Sequence, residues 1–264
     1  MAEITAAIVK ALREETGQGM MECKKALQES NGDVEAARDI LRKKGLATAE
    51  KKAARVTKEG RVAIAATADK SGAAMVEIQC ETDFCARNEV FQEMVQVVAR
   101  LAADAPAGTI EPTPAIKDAV QDALSKIGEN MSFARGVKVV APRIGAYIHH
   151  NGKVGVLVGV EGEISDEVLS DLCMHIAFAD PMGITMQDVP ADLVEKERAF
   201  AREQAAESGK PADIVEKMVT GKINKFLAER ALLEQPFVRD DKKKVKDIVG
   251  KAKVLTFARY SVGA

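Results

Sequence analysis

The side chains best suited to chemistry in this 264-residue chain are its three histidines and four cysteines. Imidazole and thiolate groups are common zinc ligands, and histidine is a common general base near neutral pH. A metal-assisted hydrolase that uses His149, His150 and Cys173 is therefore one hypothesis. The full set is His149, His150, His175, Cys23, Cys80, Cys85 and Cys173.

Spacing along the chain disfavours a metal or redox role for these side chains. The cysteines form no C-x-x-C pair and have no histidine at ligand spacing, so we expect buried, reduced thiols. His149 and His150 follow a strand pattern and precede Asn-Gly, which is typical of the solvated end of a β-hairpin. His175 belongs to a helix with a core pattern. We expect neither a metal nor a cofactor.

Motifs of common enzyme classes are also missing. The sequence has no G-x-x-x-x-G-K-[ST] phosphate loop, no G-x-S-x-G nucleophile elbow and no H-E-x-x-H zinc motif. The stretch GKVGVLVG places its glycines in a strand pattern, without the helix N-terminus that binds phosphate. The chain is therefore not expected to be an enzyme.

A phenylalanine in the run VEIQCETDFCARNEVF stands where a strand pattern meets a helix pattern. Thr82 or Asp83 could cap that helix. Phe84 could then pack back onto its own helix as a hydrophobic staple, or it could stand on a rigid corner and enter a partner's pocket. Met20 and Met21, which follow a Gly-x-Gly loop, also allow two interpretations. Both side chains could pack in the small helical core, or they could form an adaptable surface for a partner.

Composition limits the class of protein. The chain is 47% apolar and 30% charged with a net charge of -2, so it lacks the basic excess that favours binding to nucleic acid. With two tyrosines and no tryptophan, it does not suggest an aromatic surface for single-stranded bases. No secretory signal pattern and no apolar run near ~18 residues is present. We expect a cytoplasmic protein that binds neither a membrane nor nucleic acid directly.

The periodicity of apolar residues predicts an α+β fold. Three short helical patterns come first, and a strand-strand-helix pattern then occurs twice, which indicates two related subdomains, each an antiparallel sheet with helices on one face. The expected boundaries are 1–46 for a three-helix module that binds a partner, 47–60 for a linker, 61–141 for the N-subdomain of the core, 142–188 with 233–264 for its C-subdomain, and 189–232 for an antiparallel coiled-coil hairpin.

Finer expectations concern the ends and faces of these elements. Gly45 should end the third helix, a helical pattern over 111–133 should complete the first subdomain, and residues 241–248 should start a solvated helix. The hairpin should join its arms near the SGKP sequence and present apolar residues at Leu193, Phe200, Ile214, Met218 and Phe226.

The sequence contains two long motifs, LREETGQGMMECKKAL at 12–27 and EIQCETDFCAR at 77–87. Both resemble motifs of the bacterial elongation factor Ts family, the nucleotide-exchange factors of the translational GTPase elongation factor Tu. The shorter motifs KIGEN, YIHHNGKVGVLV, MHIA, SGKP and QPFV follow in the family's order, so the similarity covers essentially the whole chain. The resemblance implies a ubiquitin-associated-like helical module, two core subdomains and a coiled-coil hairpin.

The resemblance also implies which residues meet elongation factor Tu. The corner of Thr82, Asp83 and Phe84 would enter its GTPase domain near the magnesium site of the nucleotide, with Asp83 and Phe84 as the wedge. The other implied contacts are Arg13, Met20 and Met21 on another face of that domain, Ile127 and Gly128 along the contact, and His149 on a further domain.

The sequence departs from the family pattern at a few positions. Glu22, Gln79 and Cys85 replace a frequent Asp, Asn and Val, and the chain stops at SVGA, where many members continue into a C-terminal helix that contacts the GTPase. Either this member lacks that helix or the sequence is shortened. Pairing of two copies is left open, and a scaffold that binds a partner without nucleotide exchange is a competing hypothesis.

Overall fold

Helices and antiparallel sheets alternate in the computed structural model, which describes residues 4–207 and 211–264 and confirms the α+β class. In chain order the helices are α1 (Ala6–Thr16), α2 (Met20–Glu29), α3 (Val34–Lys52), α4 (Asp83–Arg87), α5 (Glu89–Ala103), α6 (Pro114–Ile127), α7 (Asp166–Ala179), α8 (Ala191–Ala206), α9 (Ala212–Arg230) and α10 (Val245–Val249). The strands are β1 (Glu59–Ala66), β2 (Gly72–Cys80), β3 (Gly108–Thr109), β4 (Met131–Val140), β5 (Arg143–Ile148), β6 (Val154–Glu161), β7 (Pro236–Phe237), β8 (Asp240–Lys244) and β9 (Lys253–Ser261).

The larger sheet has the order β1-β2-β4-β3, and the apolar strand β2 is buried on both faces. Strand β4 lies partly within a segment that the sequence predicted as helical. Helix α6 instead ends at Ile127, because Gly128 takes a left-handed φ of 82°, which ends a helix without a steric cost for glycine. From Met131 the chain pairs with β2.

The second sheet has the order β5-β6-β9, and α7 covers it in the way that α5 and α6 cover the larger sheet. Each of these two helices buries an apolar face: Phe91, Met94, Val95 and Val98 on α5, and Leu169, Leu172 and Ile176 on α7.

The two sheets pack against each other through a separate small core that includes Val62, Met75 and Leu157. Gly155 permits this approach, because a β-carbon there would lie 2.5 Å from a methyl carbon of Val62. Arg135 of β4 also joins the sheets: its Nε lies 2.7 Å from the buried Glu77 carboxylate on the neighbouring strand β2, and its guanidinium donates to the carbonyl of Ser261 on β9 at 3.0 Å. The two halves of the core are therefore packed directly against each other.

The N-terminal helices differ from expectation at the end of α3. Gly45 does not end the helix, which runs on to Lys52. Gly45 is buried, and a β-carbon there would lie 2.4 Å from the Ser125 Oγ of α6, so glycine lets the two helices approach closely. Since β1 also begins at Glu59, the connecting segment is residues 53–58, shorter than the predicted linker.

The helical hairpin packs through a face that only partly matches the expected one. Its buried seam consists of Ala201 and Ala205 on α8 against Val219 and Ile223 on α9, and the predicted Met218 packs against this seam. Phe200 is instead 53% exposed. Small side chains in the seam let the two helix axes approach closely, while the larger phenylalanine remains outside. The predicted junction at SGKP lies mostly outside the described residues.

The lysine-rich stretch near the C-terminus was expected to start a helix. It is strand β8, which pairs with the short strand β7, and only residues from Val245 onward are helical. Lys244 and Lys246 both contact Glu234, at 2.7 and 2.8 Å. These ion pairs link the end of β8 and the start of α10 to the segment just before β7.

Candidate functional site

Phe84 stands on the short helix α4, directly after β2 leaves the larger sheet. Its side chain is 79% exposed, whereas its neighbours Cys85 and Ala86 are buried in the core. The staple interpretation is therefore wrong, since a stapled ring would be covered by its own helix. One buried side of α4 holds the helix, and the opposite side presents an aromatic ring to solvent.

Thr82 is the residue that caps α4. Its Oγ1 accepts the backbone N–H of Cys85 at 3.1 Å. Asp83 lies in the first turn, where a carboxylate is favoured by the helix dipole, and it forms a 3.0 Å ion pair with Arg87 on the surface. The sequence left the cap open between Thr82 and Asp83, and the structure assigns it to Thr82.

Two glutamates tie this corner to the turn that follows α6. Glu129 accepts the Thr82 backbone N–H at 3.1 Å and the Thr82 hydroxyl at 2.8 Å. In return, Glu81 accepts the backbone N–H of Asn130 at 2.6 Å. We call these four residues, Glu81, Thr82, Glu129 and Asn130, the carboxylate clasp. The clasp joins two segments that are 47 residues apart in the sequence.

The segment after α3 closes around the same clasp. Arg55 lies 3.3 Å from the Glu81 carboxylate, and its carbonyl accepts the side-chain amide of Asn130 at 2.8 Å. The Asn130 N–H holds the pKa of Glu81 below its usual range; burial opposes this effect and the Arg55 charge assists it. Glu81 is therefore a carboxylate at neutral pH.

Ile127 and Gly128, which the family resemblance assigned to the partner contact, lie next to this clasp. Ile127 is only partly buried and packs against the core of the larger sheet. The Gly128 carbonyl accepts the ammonium group of Lys52 at the end of α3. The structure thus places this predicted pair and the Phe84 corner in one continuous region.

The predicted residues of the N-terminal module lie on its surface. Met20 and Met21 open α2 and are 41% and 61% exposed, so the alternative that both pack in the small core is wrong. Arg13 is also exposed, near the end of α1. The loop between these helices lies against α6, because the Gly17 backbone approaches the side chain of Lys126.

His149 lies in the hairpin between β5 and β6, apart from the clasp in the topology. Its Nδ1 is 2.8 Å from the Tyr147 hydroxyl, and its ring is 4.2 Å from that of His150 between centroids. The side chain is half-buried. Its backbone closes the hairpin turn with bonds to Val154 and Gly152.

The hydrolase hypothesis finds no support in the described parts of the chain. There, no three His, Cys, Asp or Glu side chains are grouped as metal ligands would be. Burial raises the pKa of Cys173 to about 12, so its thiol is protonated at neutral pH. Burial lowers the pKa of His175, while its hydrogen bond with Gln235 has the opposite effect. All four cysteines are buried and unpaired, as expected.

The clasp residues Glu81 and Glu129 lie within the motifs EIQCETDFCAR and KIGEN, but neither motif indicates that the two residues belong to one cluster. Each is an ordinary surface type beside a turn, and only the pairing of β2 with β4 brings the two turns together. Lys52 and Arg55 fall within the predicted linker, and their contacts with Gly128 and Asn130 also form only in the folded chain. None of the helices described, from residue 4 to 207 and from 211 to 264, is long and apolar enough to cross a membrane.

Comparison with known proteins gives a consistent result across the chain. The family model for "Elongation factor TS" matches residues 81–264. An elongation factor Ts of Thioalkalivibrio sulfidiphilus is 44% identical over 271 aligned residues, which cover 98% of this chain and 92% of the relative. The elongation factor Ts of Aquifex aeolicus is 40% identical, and the alignment covers 97% of this chain and 96% of the relative. The elongation factor Ts of Hahella chejuensis is 45% identical, and the alignment covers 100% of this chain and 93% of the relative. The chain belongs to the elongation factor Ts family.

Proposed function

We propose that this chain accelerates the release of GDP from elongation factor Tu and that Phe84 is the wedge that opens the nucleotide site. Membership of the elongation factor Ts family gives the general class, a nucleotide-exchange factor of translation elongation. The wedge mechanism and the contact residues are those that the family resemblance implies, and the exposure of Phe84 supports them. The same function makes the cytoplasm its place of action.

The observation that carries the proposal is the exposure of Phe84 on a short, rigidly tied helix. A phenylalanine that is 79% exposed leaves a large apolar area in water, and among the described phenylalanines only Phe178, at 80%, is more exposed. Rigid aromatic residues of this kind are typical anchors in protein interfaces, because they lose little conformational entropy on binding.

The mechanism rests on coupling between two binding events. If the pocket for Phe84 exists only when the phosphate and magnesium site of the GTPase is distorted, the chain and GDP weaken each other's binding by the same factor. GDP then leaves faster. The chain supplies no energy source, so it does not change the relative affinity of free elongation factor Tu for GDP and GTP, and the cellular excess of GTP sets the direction.

The remaining predicted residues provide affinity around this wedge. The clasp region supplies contacts beside Phe84, the exposed methionines of α2 offer an adaptable apolar surface, and the β5–β6 hairpin reaches a further domain of the partner. The proposed contact set is Thr82, Asp83, Phe84, Arg13, Met20, Met21, Ile127, Gly128 and His149. Direct contact with nucleic acid or membrane is not part of the proposal.

The test is the release of a fluorescent GDP from elongation factor Tu into excess unlabelled GDP, with and without this chain. Acceleration that grows with the concentration of the chain supports exchange. A pull-down of elongation factor Tu with an unchanged release rate would refute exchange and favour the scaffold hypothesis.

A further inference from the structure

The carboxylate clasp has a geometry that binding to a partner does not require. Glu129 uses both of its oxygens on Thr82, one on the backbone N–H and one on the hydroxyl. That hydroxyl is also the acceptor that caps α4. One carboxylate therefore fixes the position of the cap and, through it, the direction of the helix that carries Phe84.

Helix α4 cannot hold this direction by itself. It has five residues, little more than one turn, and isolated helices of that length are unstable in water. Only Cys85 and Ala86 are buried on it, and both have small side chains. Packing alone thus leaves the angle of Phe84 weakly determined, and the hydrogen bonds at its N-terminus must supply the rest.

The second half of the clasp makes the tie reciprocal. Glu81 precedes the cap and holds the Asn130 N–H at 2.6 Å, while Glu129 precedes Asn130 and holds Thr82. Hydrogen bonds to an ionised carboxylate are shorter and stronger than neutral ones. A force on the exposed ring of Phe84 would therefore be resisted by the turn after α6 and by the core of the larger sheet, to which that turn is attached.

We propose that Glu129 is a positioning residue for exchange: it keeps Phe84 rigid, so that binding energy is used to distort the partner's nucleotide site instead of bending α4. This inference rests on the proposed function. A wedge on a loose corner would still bind, because the corner could move to fit the closed form of the partner. A rigidly held Phe84 binds the partner conformation with the distorted nucleotide site more tightly than the closed conformation.

The first test is GDP release from elongation factor Tu over a range of concentrations of the native chain, Glu129→Ala and Glu129→Gln. We expect the plateau rate of Glu129→Ala to fall about tenfold, in line with the loss of charge-assisted hydrogen bonds, while its half-saturating concentration changes less than about threefold. Glutamine can still accept the Thr82 N–H and donate to the Thr82 hydroxyl, so Glu129→Gln should recover most of the rate. Glu111→Ala, which removes an exposed carboxylate before α6, is the matched control.

A double-mutant cycle separates positioning from a general loss of structure. If Glu129 acts through Phe84, Glu129→Ala should change the rate by less than about twofold when Phe84 is already alanine. A full tenfold effect in the Phe84→Ala background would overturn the proposal. Amide hydrogen exchange gives a readout without the partner: Glu129→Ala should lose protection at the N–H groups of Thr82 and Cys85, with the strands of the larger sheet unchanged.

The outcomes also separate this inference from the function on which it rests. If the native chain leaves GDP release unchanged, the proposed function fails, whatever the variants do. If the native chain accelerates release and Glu129→Ala reaches the same plateau, only the positioning role fails.

Discussion

Replacing Phe84 by alanine should separate exchange activity from stability. An aromatic side chain has ~150 to 250 Å² of surface to bury. Because 79% of Phe84 is exposed in the free chain, ~120 to 200 Å² of it is available to a partner. At ~25 cal/mol/Å² this area corresponds to ~3 to 5 kcal/mol, an upper bound because alanine keeps its β-carbon.

The expected loss of transition-state stabilisation is at least ~2 kcal/mol, the usual threshold for an interface hot spot. That value corresponds to a release rate lower by about 30-fold at equal concentration. The free chain should change little, since only about a fifth of the side chain is buried, worth about 1 kcal/mol or less. For a chain of this size the midpoint of thermal unfolding should then fall by no more than ~4 °C.

The assay is stopped-flow release of fluorescent GDP from elongation factor Tu, with thermal unfolding of each variant measured in parallel. Phe200→Ala is the matched control, because it makes the same chemical change at another exposed phenylalanine, on α8. Release by Phe84→Ala at the native rate would refute the wedge. A loss of several kcal/mol in stability would also refute the reasoning, since it would make Phe84 a structural residue.

Three further predictions concern other parts of the chain. Replacing Met20 and Met21 together by alanine should raise the half-saturating concentration in the GDP-release assay by about tenfold, and the unfolding free energy should change by less than about 1 kcal/mol because both side chains are largely exposed. Gly45→Ala should lower the free energy of unfolding by roughly 1 to 2 kcal/mol because its β-carbon would meet Ser125; a gain in stability, as at an exposed helical glycine, would contradict that packing. Folding lowers the pKa of Glu81. The stability that this carboxylate contributes to the fold is therefore complete above its ordinary pKa of 4.5 and is lost as the pH falls through the lower pKa of the folded state. Urea titrations should thus show a weaker loss of stability below pH ~4.5 in Glu81→Gln than in the native chain, and identical pH profiles would exclude this contribution.

Periodicity predicted the elements that bury one continuous face. Helices α5 and α7 have strong apolar stripes, so their buried residues could be read before the sheets beneath them were known. Strand β4 was missed, because its burial alternates irregularly and its sequence, MSFARGVKVV, contains charged residues that resemble the preceding helix pattern. This segment forms a strand because it pairs with β2.

Side-chain size misled the prediction for the hairpin. The pattern favoured the largest apolar residues, among them Phe200, but the seam is built on Ala201 and Ala205. Two antiparallel helices approach most closely through small side chains, and this preference depends on the partner helix. Gly45 was misjudged for the same reason: its role comes from contact with α6, which no local signal reports.

By itself, the sequence determined the family, the α+β class, the positions of most helices and strands, and the corner where Phe84 stands. These properties depend on residue type and on spacing within one element, which a single chain displays directly. Only the tertiary structure decided that Phe84 faces solvent, that Thr82 is the cap, and that Glu129 holds it from 47 residues away. Such contacts join distant segments, and their partners are fixed by the pairing of strands and the packing of helices after the chain has folded.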